Sequence, residues 1–285
     1  MLGGFVLSHP RMDLELSLKE LSMLHIHEEI IPERVEELVT RLDADGAFIH
    51  PIIVDKRSLV VLDGMHRVAA AEEMSLRLIP VCLVDYSNPL IRIGCWYRMF
   101  KGISDLANAG VVLSESGMKG EPRPYSEAVS LVESREAITA IFNRSGCLAA
   151  RCEAQDIRER YAVIREVENR FRVRGHRMGY ATDKDAPTAI ASGEYGAGLV
   201  TPTVTKREVL ENALGGHLFS QKTTRHVIPA RPMNVNVPLG WLRGELTTEE
   251  ANQRLIHNLS GRRVERLPPG QFLDRRYDEE LYIFR

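Results

Sequence analysis

Residues 63–67 read Asp-Gly-Met-His-Arg and combine an acid, a glycine and two basic side chains. They follow the apolar run 59–62 and precede an alanine-rich stretch, a pattern that predicts a strand, a turn and a helix. The start of a helix presents unpaired backbone N–H groups and the positive end of the helix dipole, which together attract anions. His66 and Arg67 would add charged donors at the same place. The turn therefore predicts a phosphate site.

Asp63 fits such a site poorly unless a cation separates it from the anion. A Mg²⁺ ion bound by Asp63 and by phosphate oxygens would remove the conflict. In the alternative interpretation Asp63 only caps the helix and Arg67 forms a surface ion pair. The residue types by themselves leave both interpretations open.

Three other places in the chain carry side chains of chemical interest. Glu28 precedes the first predicted helix, where it could be a general base or a carboxylate favoured by the helix dipole. Trp96 could line a small pocket or belong to the core. A run of donors that could bind a carboxylate or a phosphate, or could form a solvated turn, consists of Lys222, Thr223, Thr224, Arg225 and His226.

Composition and motifs exclude several classes of protein. The chain has 285 residues, of which 44% are hydrophobic and 27% charged, enough for a core in one large or two ordinary domains. A net charge of −2 argues against a protein that coats nucleic acid. No apolar run approaches the roughly 18 residues of a membrane span, and residues 1–13 do not resemble a signal peptide. A P-loop motif is absent, and residues 193–198 lack dinucleotide-binding spacing.

Cysteine and histidine usage gives no metal site. None of the four cysteines forms a CxxC pair, so we expect reduced thiols in a cytoplasmic protein and no zinc. His25 and His27 could present two imidazoles on one strand face, but a pair without a third ligand is more typical of polar surface.

The periodicity of the first half predicts alternating elements. A helix is expected from Pro32 to the Asp45-Gly46 pair, because apolar residues recur at helical spacing. Strands are expected at 52–54 and 59–62, a short helix over 66–76, and a central strand over 78–86. The segment 88–102 is expected to begin as a helix.

The second half is predicted to be mixed α/β or α+β. A strand pair is expected around 143–145, and the clearest helix covers 154–173. Its predicted buried stripe consists of Ile157, Tyr161, Ile164, Val167 and Phe171. Glycine, proline and serine make 113–126 a candidate linker. The predicted organisation is a domain 1–112, the linker 113–126, a domain 127–245 and a C-terminal extension 246–285.

The turn with its flanking strands resembles the ParB/sulfiredoxin-like fold, an α/β domain whose strand-turn-helix binds nucleotide phosphates. Sulfiredoxins have a catalytic cysteine where this chain has Met65, which excludes their chemistry. ParB partition proteins continue into a helix-turn-helix domain, which the mixed second half and the slightly acidic charge do not favour. A third branch consists of free L-serine kinases from archaea and a relative in bacterial siderophore synthesis.

Four sequence blocks in the same order resemble these serine kinases. They are HEEIIPERVEEL with DGAFIHPIIV (27–54), the DGMHR turn (63–67), DYSNPLIRIGCWYRMFKG (85–102) and FSQKTTRHVIP (219–229). Residues 113–195 cannot be matched, and the tail after about 245 looks like an extension. The resemblance implies a cytoplasmic enzyme that transfers a phosphoryl group from ATP or ADP, with Mg²⁺, to free L-serine.

The resemblance also implies residue roles. Glu28 would take the proton from the serine hydroxyl, and Asp63 would act near the metal or the reacting phosphate. Gly64, Met65, His66 and Arg67 would hold the nucleotide, and Trp96 with the 222–226 loop would bind serine. Met65 departs from the archaeal pattern, which has a second histidine there, so the nucleotide preference stays open. Three other points also stay open: a different hydroxyl substrate, a role as a nucleotide-sensing DNA-binding regulator, and a homodimer formed through the tail.

Overall fold

The computed structural model describes residues 3–103, 105–273 and 276–285. The helices in these ranges are α1 (Pro32–Asp45), α2 (Met65–Glu73), α3 (Leu106–Glu115), α4 (Tyr125–Glu133), α5 (Ile157–Val173), α6 (Ala186–Ser192), α7 (Lys206–Leu214) and α8 (Thr248–Ser260). The first ten strands are β1 (Phe5–His9), β2 (Met12–Glu20), β3 (Ala47–Phe48), β4 (Ile52–Asp55), β5 (Val61–Asp63), β6 (Leu78–Val84), β7 (Arg92–Gly94), β8 (Trp96–Phe100), β9 (Lys119–Pro122) and β10 (Thr139–Asn143). The others are β11 (Gly146–Arg151), β12 (Met178–Thr182), β13 (Ala197–Val200), β14 (Arg225–Val227), β15 (Ala230–Met233), β16 (Val237–Pro238), β17 (Val264–Leu267), β18 (Gln271–Phe272), β19 (Arg276–Tyr277) and β20 (Glu280–Phe284).

The chain divides into two compact units. Unit 1 consists of Met1–Arg92, Val209–Gln221 and His226–Arg285, and unit 2 consists of Ile93–Glu208 and Lys222–Arg225. The chain therefore passes four times from one unit to the other, and the short segment 222–225 returns to unit 2 by itself.

Unit 1 is built around a five-stranded mixed sheet with the order β1-β2-β6-β4-β5. The central strand β6 is buried at every residue, as its continuous apolar sequence predicts. It pairs antiparallel with β2 and parallel with β4. β5 lies at the edge of this sheet and ends at Asp63, so the turn that follows is placed at the sheet edge.

The tail after residue 245 is part of unit 1 rather than an extension beyond it. α8 begins with a capping box formed by Thr247 and Glu250, and Asn252 bonds the Leu18 backbone of β2, with 2.8 Å from the Leu18 N–H to its Oδ1. β20 lies between β15 and β17 in a three-stranded sheet. These long-range pairings have no signature in the local sequence, and for this reason the sequence predicts an extension at 246–285.

Unit 2 is built around a six-stranded antiparallel sheet with the order β12-β8-β13-β10-β11-β9. The predicted helical start of 88–102 is wrong, because residues 92–94 and 96–100 are the strands β7 and β8. β8 pairs on both sides, with β12 and β13. The aromatic side chains of β8 suit a paired strand, and sheet pairing overrides the weak helical pattern.

The segment 113–126 differs from the predicted linker. It contains the end of α3, strand β9 and the start of α4, all within unit 2. Gly117 has a φ of 75° in the turn after α3, and β9 is the edge strand of the sheet, where Pro122 is tolerated. The glycines and prolines therefore mark a turn and a sheet edge rather than a boundary between units.

The strongest periodic patterns are confirmed. α1 begins at Pro32 and ends at Gly46, which adopts the left-handed conformation. α5 buries all five residues of its predicted stripe.

All four cysteines are free thiols. In the described ranges, no helix has both the length and the apolar character needed to cross a membrane.

Candidate active site

The predicted strand-turn-helix is present in unit 1. β5 ends at Asp63, α2 begins at Met65, and Gly64 between them is the N-cap residue. The alternative interpretation made Asp63 the cap of this helix, but the N-cap residue is Gly64. Because glycine has no side chain, no N-cap side chain covers the first N–H groups of α2, and this helix end keeps the character of an anion site.

Gly64 is required by its conformation and by its surroundings. Its φ is 106°, and a Cβ atom at this position would lie 2.5 Å from Cγ2 of Ile52 and 2.9 Å from Nη2 of Arg67. No ordinary Cβ contact is so short. The turn can therefore approach β4 and Arg67 this closely only with glycine.

We expect Gly64→Ala to destabilise the protein by about 1–3 kcal/mol, the usual cost of a strained backbone conformation, and to weaken nucleotide binding. Urea unfolding and calorimetric titration with ADP would measure the two effects. Gly46→Ala is the matched control, since Gly46 also has a positive φ (62°) but has open space around its Cβ position. A Gly64→Ala variant that binds ADP as tightly as the parent would contradict a role for this turn in binding.

Arg67 ties the turn to the neighbouring strand. Its Nη1 donates to the carbonyl oxygens of His50 (3.0 Å) and Pro51 (2.7 Å), and its Nη2 donates to Oδ2 of Asp63 (2.9 Å). Three of its bonds are thus made within the protein. Arg67 shapes the turn, and any contact with phosphate would add to these bonds.

A second arginine, Arg231 on β15, holds the same carboxylate. Its Nη1 lies 2.5 Å from Oδ2 of Asp63 and its Nε lies 2.8 Å from Oε1 of Glu279. Burial alone lowers the pKa of Arg231, but the carboxylates of Asp63 and Glu279 overcome this and raise it. Arg231 is therefore a buried cation paired with Asp63, and the Asp63 carboxylate has two guanidinium partners, Arg67 and Arg231.

His66 connects the turn to the start of α1. Its Nε2 accepts a hydrogen bond from the backbone N–H of Ile31 (3.0 Å), the N-cap residue of α1. In this arrangement Nε2 of His66 acts as the hydrogen-bond acceptor for Ile31. His66 joins the starts of α1 and α2, and Nδ1 is its donor nitrogen.

Glu28 lies in a segment that is fixed by its backbone. The N–H of Phe219 donates to the carbonyl of His27 (2.9 Å), and the N–H of Glu29 donates to the carbonyl of Phe219 (2.9 Å). Glu28 is 8% exposed. A carboxylate on such a fixed and largely buried backbone has the rigidity that a general base needs.

His27 is fully buried, so the expectation of polar surface at this position is wrong. Its Nδ1 donates to the carbonyl of Val61 (2.9 Å), and its ring packs edge-on against His226 with 5.4 Å between the centroids. Burial lowers the pKa of His27 to about 4, although the bond to Val61 acts in the opposite direction. His27 is thus a neutral imidazole beside Glu28 at physiological pH.

This lowered pKa predicts a stability change with pH. The unfolded chain binds the His27 proton near pH 6.5 and the folded chain near pH 4, so stability is full above 6.5 and falls as the pH drops towards 4. We expect the group to remove about 2 kcal/mol of unfolding free energy between pH 7 and pH 5. Urea unfolding of His27→Asn, which keeps a donor for Val61, should show a loss smaller by that amount. His217→Asn, at an exposed histidine, should keep the parent's pH dependence.

His226 is held by Tyr86 as well as by His27. The Tyr86 hydroxyl lies 2.7 Å from Nε2 of His226, and the ring centroids are 5.4 Å apart. Burial raises the pKa of the Tyr86 hydroxyl, which keeps its proton at all relevant pH values. The last residue of the predicted donor loop is therefore part of a packed aromatic group in unit 1.

The other loop residues and Trp96 lie together in unit 2. Nζ of Lys222 lies 4.9 Å from the centroid of the Trp96 ring, and the guanidinium carbon of Arg225 lies 6.0 Å from it. Thr223 and Thr224 are buried, so the loop is not a solvated turn. Two basic side chains, Lys222 and Arg225, thus lie against the ring of Trp96. Small-molecule sites typically combine polar groups with an apolar wall in this way.

The fit to a magnesium ion depends on the nucleotide. Among the described residues, no group of three or more His, Cys, Asp or Glu side chains could hold a metal ion. Asp63 is one carboxylate with two arginine partners on the same oxygen, Oδ2. Mg²⁺ in nucleotide sites typically uses one or two carboxylates together with phosphate oxygens. Asp63 is thus the carboxylate at this site that could share a metal ion with phosphate oxygens.

Sequence reasoning did not find the groups that hold the predicted residues in place. Arg231 is 168 positions from Asp63, and Tyr86 is 140 positions from His226. No motif joins them. The local signal is an arginine within an otherwise apolar stretch, ARPM at 230–233, since a charged residue in a buried strand needs a partner.

No protein-family model matches the sequence. The chain is 26% identical over 235 residues to the ADP-dependent L-serine kinase of Thermococcus kodakarensis, covering 81% of this chain and 94% of that protein. It is 26% identical over 247 residues to the ATP-dependent L-serine kinase of Staphylothermus marinus, covering 82% and 94%. A free serine kinase variant in complex with AMP, with a glutamate replaced by alanine, superposes with a TM-score of 0.68 at 26% identity, covering 80% and 94%. The predicted resemblance and the α/β fold are confirmed.

Proposed function

We propose that this chain, a relative of the free L-serine kinases, is a phosphotransferase that acts on an alcohol group. It transfers the terminal phosphoryl group of ATP or ADP to the hydroxyl of free L-serine and gives O-phospho-L-serine. The observation that carries the proposal is the glycine-capped start of α2, which follows Asp63 in a chain similar to serine kinases over four fifths of its length. Phosphoryl transfer asks a protein mainly to position its substrates and to neutralise charge.

The nucleotide is assigned to the turn 63–67. The backbone N–H groups at Gly64, Met65 and His66 would donate to the phosphate oxygens, and a donor from any residue type serves equally well there. The replacement of a histidine by Met65 therefore removes a side-chain contact only. Arg67 and Arg231 supply positive charge that balances Asp63 and leaves the turn suitable for a polyphosphate.

Glu28 is assigned as the general base. The hydroxyl of serine is a poor nucleophile at neutral pH, and a nearby carboxylate can accept its proton as the new P–O bond forms. The bond from the terminal phosphorus to the leaving nucleotide then breaks, which releases ADP from ATP or AMP from ADP. The fixed backbone at 27–29 supports this role. The related free serine kinase with a glutamate replaced by alanine was solved with AMP, which fits a glutamate that is needed for something other than nucleotide binding.

Serine is assigned to the loop 222–226 and Trp96. Lys222 and Arg225 would pair with the serine carboxylate, with Thr223 and Thr224 as further donors, and Trp96 would form the apolar wall. When bound, Mg²⁺ would neutralise the phosphate oxygens, and Asp63 is the residue that would hold it.

The proposal is tested by incubating the protein with L-serine, Mg²⁺ and either ATP or ADP, and detecting phosphoserine by mass spectrometry. We expect phosphoserine with at least one of the two nucleotides and none after chelation of Mg²⁺. Parallel reactions with L-threonine test the acceptor. Nucleotide binding without phosphoserine in any reaction would overturn the proposal, and a salt-dependent affinity for DNA would then favour a regulator.

A further inference from the structure

Arg98 is a buried charge for which the proposed reaction gives no direct use. It lies on β8 between β12 and β13, and it is 0% exposed. Its Nε donates to Oε1 of Glu168 on α5 at 2.6 Å. Burial lowers the pKa of Arg98, but the Glu168 carboxylate reverses this and raises it, so the side chain is a cation inside unit 2.

An ion pair inside a protein is not explained by stability. The cost of desolvating two charges often exceeds their attraction, and apolar residues of similar volume serve a core equally well. Nη2 of Arg98 is also buried and has no hydrogen-bond partner among the described residues. Burying Arg98 therefore costs free energy of desolvation. An apolar residue could not replace the hydrogen bonds that its Nη1 makes.

Those bonds join the loop to the strand that carries Trp96. Nη1 of Arg98 donates both to the carbonyl of Trp96 (2.7 Å) and to the carbonyl of Lys222 (3.0 Å). Lys222 has a φ of 61°, an unfavourable conformation for a residue with a side chain, so the loop needs an external restraint at this point. The same Lys222 places its Nζ 4.9 Å from the centre of the Trp96 ring.

We propose that Arg98, oriented by Glu168, is a positioning residue that sets the amino-acid-binding loop 222–225 against Trp96. This inference rests on the proposed function, because it takes the loop to be the serine site. A guanidinium suits the task, since its fixed planar donors reach a carboxylate and two carbonyl oxygens at once, whereas a lysine ammonium cannot span them. Arg98 does not touch substrate in this scheme, so its loss affects serine binding more than nucleotide binding.

The test compares Arg98→Lys, Arg98→Met and Glu168→Gln with the parent. We expect KM for serine to rise by about 10- to 100-fold in the Arg98 variants, as for the loss of charge-assisted hydrogen bonds, with a smaller rise in Glu168→Gln. KM for the nucleotide should change by less than about threefold. The matched control is Arg160→Met, because Arg160 also donates to two carbonyls of unit 2, those of Ala137 and Arg135, but not to the loop.

Amide hydrogen exchange separates this inference from the proposed function. The amides of 222–225 should exchange faster in the Arg98 variants and in Glu168→Gln, and at the parental rate in Arg160→Met. If the parent makes no phosphoserine, the proposed function fails, while the exchange rates still decide whether Arg98 positions the loop. Should Arg98→Met not fold, Arg98→Lys and Glu168→Gln decide the matter. Unchanged exchange and unchanged serine KM in the folded variants would overturn the inference.

Discussion

Replacing Glu28 with glutamine is expected to lower kcat for phosphoserine formation by about 10²- to 10⁴-fold, the usual contribution of a general base. Glutamine has nearly the same shape but cannot accept the proton of the serine hydroxyl. The backbone bonds of 27–29 do not involve the side chain, so the fold should be retained. Steady-state kinetics with saturating serine and nucleotide would measure kcat, and calorimetric titration would measure nucleotide affinity, which we expect to stay within about threefold of the parent.

Glu29→Gln is the control for this experiment. Glu29 is the neighbouring carboxylate, and its backbone N–H is held by the same residue, Phe219. Its replacement removes one negative charge from the same segment and should leave kcat nearly unchanged. If Glu28→Gln retains near-parental turnover, the base is another group and the assignment of Glu28 is wrong.

Replacing Asp63 with asparagine is expected to impair both activity and stability. The carboxylate accepts bonds from Arg67 and from the largely buried Arg231, and an amide oxygen compensates two guanidinium groups poorly. We expect a loss of about 1–3 kcal/mol in the free energy of unfolding and a decrease of at least tenfold in kcat/KM. Urea unfolding and kinetics over a range of Mg²⁺ concentrations would measure these effects.

The Mg²⁺ titration distinguishes two roles for Asp63. A metal-binding role predicts that Asp63→Asn needs more Mg²⁺ for half-maximal activity, whereas a purely structural role predicts a lower maximum at the same Mg²⁺ requirement. Asp85→Asn is the matched control, because Asp85 pairs in the same unit with an exposed arginine, Arg57, rather than with a buried one. An unchanged Mg²⁺ requirement in Asp63→Asn would count against metal binding, and unchanged stability would contradict the role of Arg231.

The parts of the fold that follow from local pattern were accessible from the sequence. The helix Pro32–Asp45 follows from apolar spacing, from a proline whose fixed φ suits the first turn, and from a glycine that can adopt the left-handed conformation after the last turn. The buried stripe of α5 follows from helical periodicity alone. The strand-turn-helix at 63–67 needs only an apolar run, a glycine and a helix-forming stretch, so its existence could be predicted. Anion binding at the start of this helix stays a prediction.

The prediction was wrong for segments whose secondary structure or packing depends on partners far away in the sequence. Residues 92–100 form strands because β8 is paired on both sides in the sheet of unit 2, information that the segment itself does not contain. The tail from 246 looked like an extension because its partners, β2 and β15, are far away in the sequence. In both cases the energy that decides the structure comes from pairing and burial between segments, which periodicity within one segment cannot register.

The sequence by itself determined which chemical groups this protein has and where a helix start could meet an anion. Only the tertiary structure decided what those groups are free to do. It placed Arg231 against Asp63, turned Nε2 of His66 towards Ile31, and removed His27 from water. The physical reason is that protonation, charge balance and donor direction depend on burial and on neighbours within a few ångströms. Those neighbours are brought together by the fold and not by their spacing along the chain.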